Sequence, residues 1–167
     1  MSIGTIKISQ ISVCTWDLEK AEKCYTALLG IEPERIQLQP FDKVPALTHG
    51  KPDHGMKEIE FLVYHMADGV KLEVYGPCPK GTPAQEFLET HGQGVMNFAF
   101  MVEDRQAAYE EIGKVCAAQQ PYHEGHFPGA TYSFVDTFKE LGVELNIKQL
   151  TDNTALIPKI VEQYKGQ

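Results

Sequence analysis

Residues 6–13 read IKISQISV, an alternation that puts Ile6, Ile8, Gln10 and Ser12 on one face of a strand. Lys7, Ser9, Ile11 and Val13 take the other face, so the strand is apolar on both sides. Asp17 then stands where its carboxylate can accept the free N–H groups of a first helical turn. Leu18, Ala21, Tyr25, Leu28 and Leu29 follow at helical spacing, and Gly30 suits a left-handed C-cap. Residues 32–41 read as a short, weaker strand. Residues 42–55, with Pro45, Gly50, Pro52 and Gly55, read as a loop. Residues 57–66 and 70–75 are two strands joined through Asp68-Gly69, a hairpin signal. A connector carrying Pro77, Pro79, Gly81 and Pro83 leads to a short helix over 84–90.

The pattern then begins again. Residues 95–102, VMNFAFMV, predict a strand, and Asp104 caps a helix running to about Val115. A weak strand is expected over 116–121, a loop over 123–129, and a second strand pair over 130–136 and 142–148. Leu156, Ile160, Val161 and Tyr164 give residues 153–163 the apolar face of a terminal helix. Gln10 lies seven residues before Asp17, and Asn97 lies seven before Asp104. Each half also closes on a strand with inward polar groups, Glu73 in the first and Glu144 and Asn146 in the second. The chain thus reads as an internal repeat of order strand–helix–strand–strand–strand. The modules span residues 1–80 and 81–150, with a terminal helix in 151–167, in one α+β domain.

Composition narrows the function classes. The 167 residues carry 15 basic and 23 acidic side chains, a net charge of −8. That balance argues against nucleic-acid or anionic-membrane partners, which call for a basic footprint. No apolar run approaches a spanning helix, and the first residues lack the pattern of a signal peptide, so a cytoplasmic location is expected. Cys14, Cys24, Cys78 and Cys116 are scattered and read as reduced thiols. Neither a GxGxxG motif, a Walker loop nor a GxSxG motif is present.

Gln10 to Ala21 and Tyr25 to Gly30 resemble the opening of vicinal-oxygen-chelate proteins, the superfamily of glyoxalase I, bleomycin-resistance proteins and extradiol dioxygenases. Lys71-Leu-Glu-Val-Tyr-Gly-Pro, Glu86-Phe-Leu-Glu-Thr-His-Gly-Gln-Gly-Val and Tyr132-Ser-Phe-Val-Asp-Thr-Phe-Lys-Glu-Leu-Gly-Val143 resemble its methylmalonyl-CoA epimerase-like branch. The resemblance implies two βαβββ modules curled into a half-open barrel around a pocket. It also implies a small-molecule ligand and, by family habit, a homodimer. In active members a divalent metal holds two neighbouring substrate oxygens while a proton is abstracted.

Carried over by position, the metal ligands would be Gln10, Glu73, Asn97 and either Asn146 or, after a small shift of register, Glu144. Amides are weak donors to zinc, nickel or cobalt, so no tightly bound cofactor is expected, and a divalent ion would be held weakly. The reading is a lyase or isomerase in which Glu73 or Glu144 takes a proton beside a carbonyl. Gln10, Asn97 and Asn146 would hold the substrate, with His126, Tyr75 and Tyr132 as further candidates. The alternative is a non-catalytic binding protein of the bleomycin-resistance type using the same cavity.

Overall fold

The doubled strand-to-cap spacing has a spatial counterpart in the computed structural model, which describes residues 2–166. The first half supplies β1 (Ile8–Cys14), α1 (Leu18–Leu29), β2 (Glu34–Gln37), β3 (Ala46–Thr48), β4 (Lys51–Pro52), β5 (Glu60–His65) and β6 (Lys71–Tyr75). After α2 (Pro83–His91) come β7 (Gly94–Met101), α3 (Arg105–Ile112), β8 (His123–Phe127), β9 (Ala130–Val135), α4 (Phe138–Leu141), β10 (Glu144–Leu150) and α5 (Ile157–Gln163). The strands form one sheet in the order β2-β5-β6-β1-β7-β10-β9-β8-β3-β4. Exchanging β1 with β7, β6 with β10, β5 with β9 and β2 with β8 maps its first eight strands onto themselves. The pairings obey the same exchange: β1/β6 and β7/β10 are parallel, and the seam β1/β7 is antiparallel. The repeat is thus present in the sheet, which forms the curled α+β half-barrel that the resemblance implies.

Local chemistry sets the helix starts. Asp17 accepts the Lys20 N–H at 2.9 Å, and Asp104 accepts that of Ala107 at 3.0 Å. Gly30 closes α1 with φ of 69°, a conformation that costs glycine little. Both helices cover the outer side of the sheet. Leu18, Ala21, Tyr25 and Leu29 of α1 pack on Leu62, Tyr64 and Val74. Ala108, Tyr109 and Ile112 of α3 pack on Val135, Leu145 and Ile147. Leu28, expected on the apolar face of α1, is exposed. The predicted helix after Asp104 stops at Ile112, and Val115 lies in solvent.

Two segments expected as loops belong to the sheet. Within residues 42–55, β3 and β4 form a short hairpin, followed by a 3-10 turn, His54–Glu58, whose N-cap is Asp53. The strand expected from residue 57 consequently starts at Glu60. Residues 123–127 are strand β8, whereas 116–121 hold no strand. The physical reason is distance: Ala46 pairs with Gly125 and Thr48 with His123, partners that no local pattern can supply.

The β3–β4 hairpin also explains why the sheet curls. β2 and β4 are its two ends, yet the eight intervening residues 38–45 carry the chain from β2 to β3, a reach of at most about 30 Å. Leu38, Ala46, Met56, Ile59, Phe61 and Val63 then form one cluster, against which Tyr75 and Tyr132 pack. Across the β8/β9 pair, Gly125 leaves room for Tyr132: a Cβ there would lie 2.2–2.5 Å from its ring and hydroxyl. Gly125→Ala is expected to destabilise the protein by about 1–3 kcal/mol through overpacking, measured by urea unfolding.

Candidate functional site

The register of four neighbouring strands sets a polar row on the concave side. Ser12 pairs with Glu73 across β1/β6 and with Asn97 across β1/β7, and Asn97 pairs with Glu144 across β7/β10. One step along the strands, Gln10 and Asn146 both pair with Ala99. These side chains are all buried.

A hydrogen-bonded line runs through the row. Gln10 Nε2 donates to Glu73 Oε2 at 2.6 Å and lies 2.9 Å from Ser12 Oγ. Tyr75 donates its hydroxyl to the same Glu73 oxygen at 2.7 Å. On the other side, the Lys148 ammonium donates to Gln10 Oε1. A carboxylate and an ammonium are thus held on the two ends of one amide. Burial lowers the Lys148 pKa, the nearby Glu73 charge opposes that, and Lys71 adds to the lowering.

These groups border a cavity of about 270 Å³, near the lower end of ligand pockets at about 300 Å³. Gln10, Glu73, Tyr75, Asn97, Tyr132 and Asn146 all line it, along with Lys148. Much of the remaining wall is apolar, including Met56, Phe61, Met96 and Phe134. Both polar atoms of the Asn97 amide, and Oδ1 of Asn146, are buried without a hydrogen-bond partner. Such groups cost free energy unless something meets them.

Two candidates stand elsewhere. His126 is buried on the outer face of β8, with Nδ1 3.2 Å from Thr131 Oγ1 and Nε2 2.9 Å from the Glu124 carboxylate, which also binds Arg105 of α3. Glu144 does not border the cavity; it accepts the Tyr122 hydroxyl at 2.8 Å. Sequence reasoning missed Lys148, although alternation with Glu144 and Asn146 already placed it on their face. It also read His123 as part of a loop, whereas the ring is buried beside Tyr132.

The side chains present do not suit a divalent transition metal. Gln10 offers its carbonyl oxygen to an ammonium, and Glu73 Oε2 is committed to two donors. The remaining family positions hold neutral amides, and the Lys148 amine stands on the same cavity wall. Among the described residues, no group of three or more His, Cys, Asp or Glu side chains is placed to hold a metal ion.

Comparison with known proteins agrees with the fold. Residues 9–134 match the model of the Glyoxalase/Bleomycin resistance protein/Dioxygenase superfamily, and the chain belongs to that superfamily. Among solved structures it is similar to a variant of Streptomyces coelicolor methylmalonyl-CoA epimerase in complex with 2-nitronate-propionyl-CoA. That match has 19% identity and a TM-score of 0.56 over 87% of this chain and 94% of the other. A methylmalonyl-CoA epimerase in complex with methylmalonyl-CoA and NH4+ matches with the same identity, TM-score and coverage. The Mycobacterium tuberculosis methylmalonyl-CoA epimerase matches at 15% identity and a TM-score of 0.57, over 93% of this chain and 95% of that one. No curated protein matches the chain in sequence.

Burial pushes the Glu144 carboxyl up to about 8 against the pull of the Tyr122 hydrogen bond, and the charges of Asp136 and Glu86 add to the rise. The folded chain therefore binds this proton more tightly than the unfolded one. The stability this gives is complete below pH about 4.5 and is lost as pH rises toward about 8. Glu144→Gln, which keeps an acceptor for Tyr122, should flatten that decline. Its melting temperature near pH 8 should exceed the parent's, by roughly 2–4 °C for each kcal/mol recovered.

Proposed function

We propose that this chain is an isomerase or lyase that removes a proton from the carbon beside a carbonyl, with Glu73 as the base. The observation that carries the proposal is the pairing of Glu73 and Lys148 through Gln10 on the wall of a largely apolar cavity. Both hydrogen bonds to Glu73 fall on Oε2, which leaves Oε1 to take the proton. The C–H electron pair moves into the carbonyl, and the enolate oxygen gains negative charge. Lys148 and the unpartnered Asn97 amide supply N–H groups to that oxygen in a poorly solvated site, where such donors act strongly. Delivering a proton to the opposite face of the same carbon completes an epimerisation, and delivering it to a neighbouring carbon an isomerisation. In this reading the positive charge comes from Lys148, and no tightly bound metal takes part.

The substrate class we propose is an activated acyl compound, a thioester first. The cavity admits a short acyl group, and two of the similar epimerases are complexed with coenzyme A esters. A second reading, a binding protein without chemistry, draws on the unpartnered amides of Asn97 and Asn146, which suit recognition alone.

Solvent exchange separates the two. Propionyl- and methylmalonyl-CoA incubated with the protein in deuterated water should gain deuterium beside the carbonyl, followed by mass spectrometry. Glu73→Gln should slow that exchange by about 10²–10⁴-fold, the usual contribution of a general base. Tight binding of these esters with no exchange would favour the second reading.

Lys148 gives a pH signature. Only the ammonium form stabilises an enolate, so exchange should fall as pH rises through a value below the usual lysine pKa of 10.5. Lys148→Met should abolish this alkaline limb and lower the exchange rate throughout, as a pH–rate profile would show.

A further inference from the structure

Tyr132 reaches the cavity from β9, with its ring laid over the bare backbone of Gly125. Behind it runs a chain of contacts that the proposed chemistry does not use. The Tyr132 hydroxyl lies 3.1 Å from His123 Nε2, and His123 Nδ1 lies 2.8 Å from Thr48 Oγ1. Thr48 donates to Asp53 Oδ2 at 2.6 Å, while Asp53 Oδ1 accepts the Gly55 N–H at 3.1 Å. Thr48, Asp53 and His123 are all buried.

Counting hydrogens fixes the direction of every bond. The Asp53 carboxylate accepts only, so the single hydroxyl hydrogen of Thr48 goes to it. The Thr48 oxygen is then an acceptor toward His123, and Nδ1 must carry a hydrogen. Burial lowers the His123 pKa to about 3, so the neutral ring has that one hydrogen and no other. Nε2 is bare. The Tyr132 hydroxyl must donate to it.

We infer that Asp53, Thr48 and His123 are positioning residues that hold the Tyr132 hydroxyl hydrogen away from the cavity, so that Tyr132 meets a ligand only as a hydrogen-bond acceptor. Tyr132 is thereby a specificity-determining residue. Tyr75 is turned the same way, because its hydrogen is given to Glu73. The cavity therefore offers donors near Lys148 and acceptors at its two tyrosines. It selects a small carbonyl compound that also bears a hydroxyl or N–H group, the carbonyl toward Lys148 and Asn97 and the donor toward Tyr132. This inference rests on the cavity being the ligand site, as proposed above, but not on Glu73 acting as a base.

The test begins without any ligand. Long-range ¹H–¹⁵N correlation spectra of the labelled full chain report which imidazole nitrogen of His123 carries hydrogen. The expected result is Nδ1–H in the parent and loss of that preference in Thr48→Val, with near-UV circular dichroism confirming that the variant is folded. Nε2–H in the parent would overturn the inference. Binding is then compared for 4-hydroxyacetophenone and acetophenone by calorimetry. The parent should bind the hydroxylated probe about fivefold more tightly, the ratio that one net hydrogen bond gives. Tyr132→Phe should bind both alike, and in Thr48→Val the ratio should shrink. A ratio unchanged in Tyr132→Phe, or no binding of either probe, would also overturn it. Failure of thioester exchange alongside the expected tautomer and ratio would overturn the proton-abstraction reading alone.

Discussion

The antiparallel seam between β1 and β7 is the constraint on which the rest of the site depends. It joins the two modules, and its register decides which residues meet at the centre of the concave face. Because strand side chains alternate with a period of two, a slip of one residue would turn Gln10 and Ser12 outward and bring Ile11 and Val13 in. The seam is not regular. Between Ser12 and Val13 the pairing skips from Asn97 to Val95, and at this irregularity the consecutive residues Met96 and Asn97 both border the cavity. One local break in a ladder thus gives the cavity both an apolar side chain, Met96, and its central amide, Asn97.

The charged line across this seam shows how opposite charges are accommodated indoors. Glu73 and Lys148 do not touch each other; Gln10 stands between them, giving N–H to one and carbonyl oxygen to the other. Each charge has a partner of matching polarity, the condition under which buried ions are tolerated. The intervening amide also keeps the carboxylate from being neutralised by direct contact with the ammonium. A chain with a net charge of −8 therefore places a balanced pair at its centre.

What the sequence made legible was local or repeated. Asp17, Asp104 and Gly30 act at the helix ends where spacing put them, and Gly69, with φ of 84°, turns the hairpin between β5 and β6. Repetition supplied the two modules, and resemblance pointed to Gln10, Glu73, Asn97 and either Asn146 or Glu144, of which all but Glu144 border one cavity. The strands β3 and β8 were illegible because each is short and is completed by a partner more than seventy residues away. His126 was drawn toward the pocket only by its being read as part of a loop. Once residues 123–127 are a strand, alternation sends His123 inward and His126 to the helix side.

The β3–β4 hairpin has a further consequence, for how the chain reaches its fold. It leaves the first module to complete the second, so neither half buries its own edges. Until residues 123–127 exist, β3 has only the two-residue β4 to pair with; until β3 docks, β8 offers an unprotected strand edge to other chains. Pairing so distant in sequence pays its loop-closure entropy before any reward, which makes folding slow relative to a protein of local contacts. The two modules look like copies, yet each is completed by a strand of the other. Once formed, the sheet ends on β2, with Glu34 and Arg35, and on the two-residue β4 with Lys51 and Pro52, short charged edges that resist the addition of further strands.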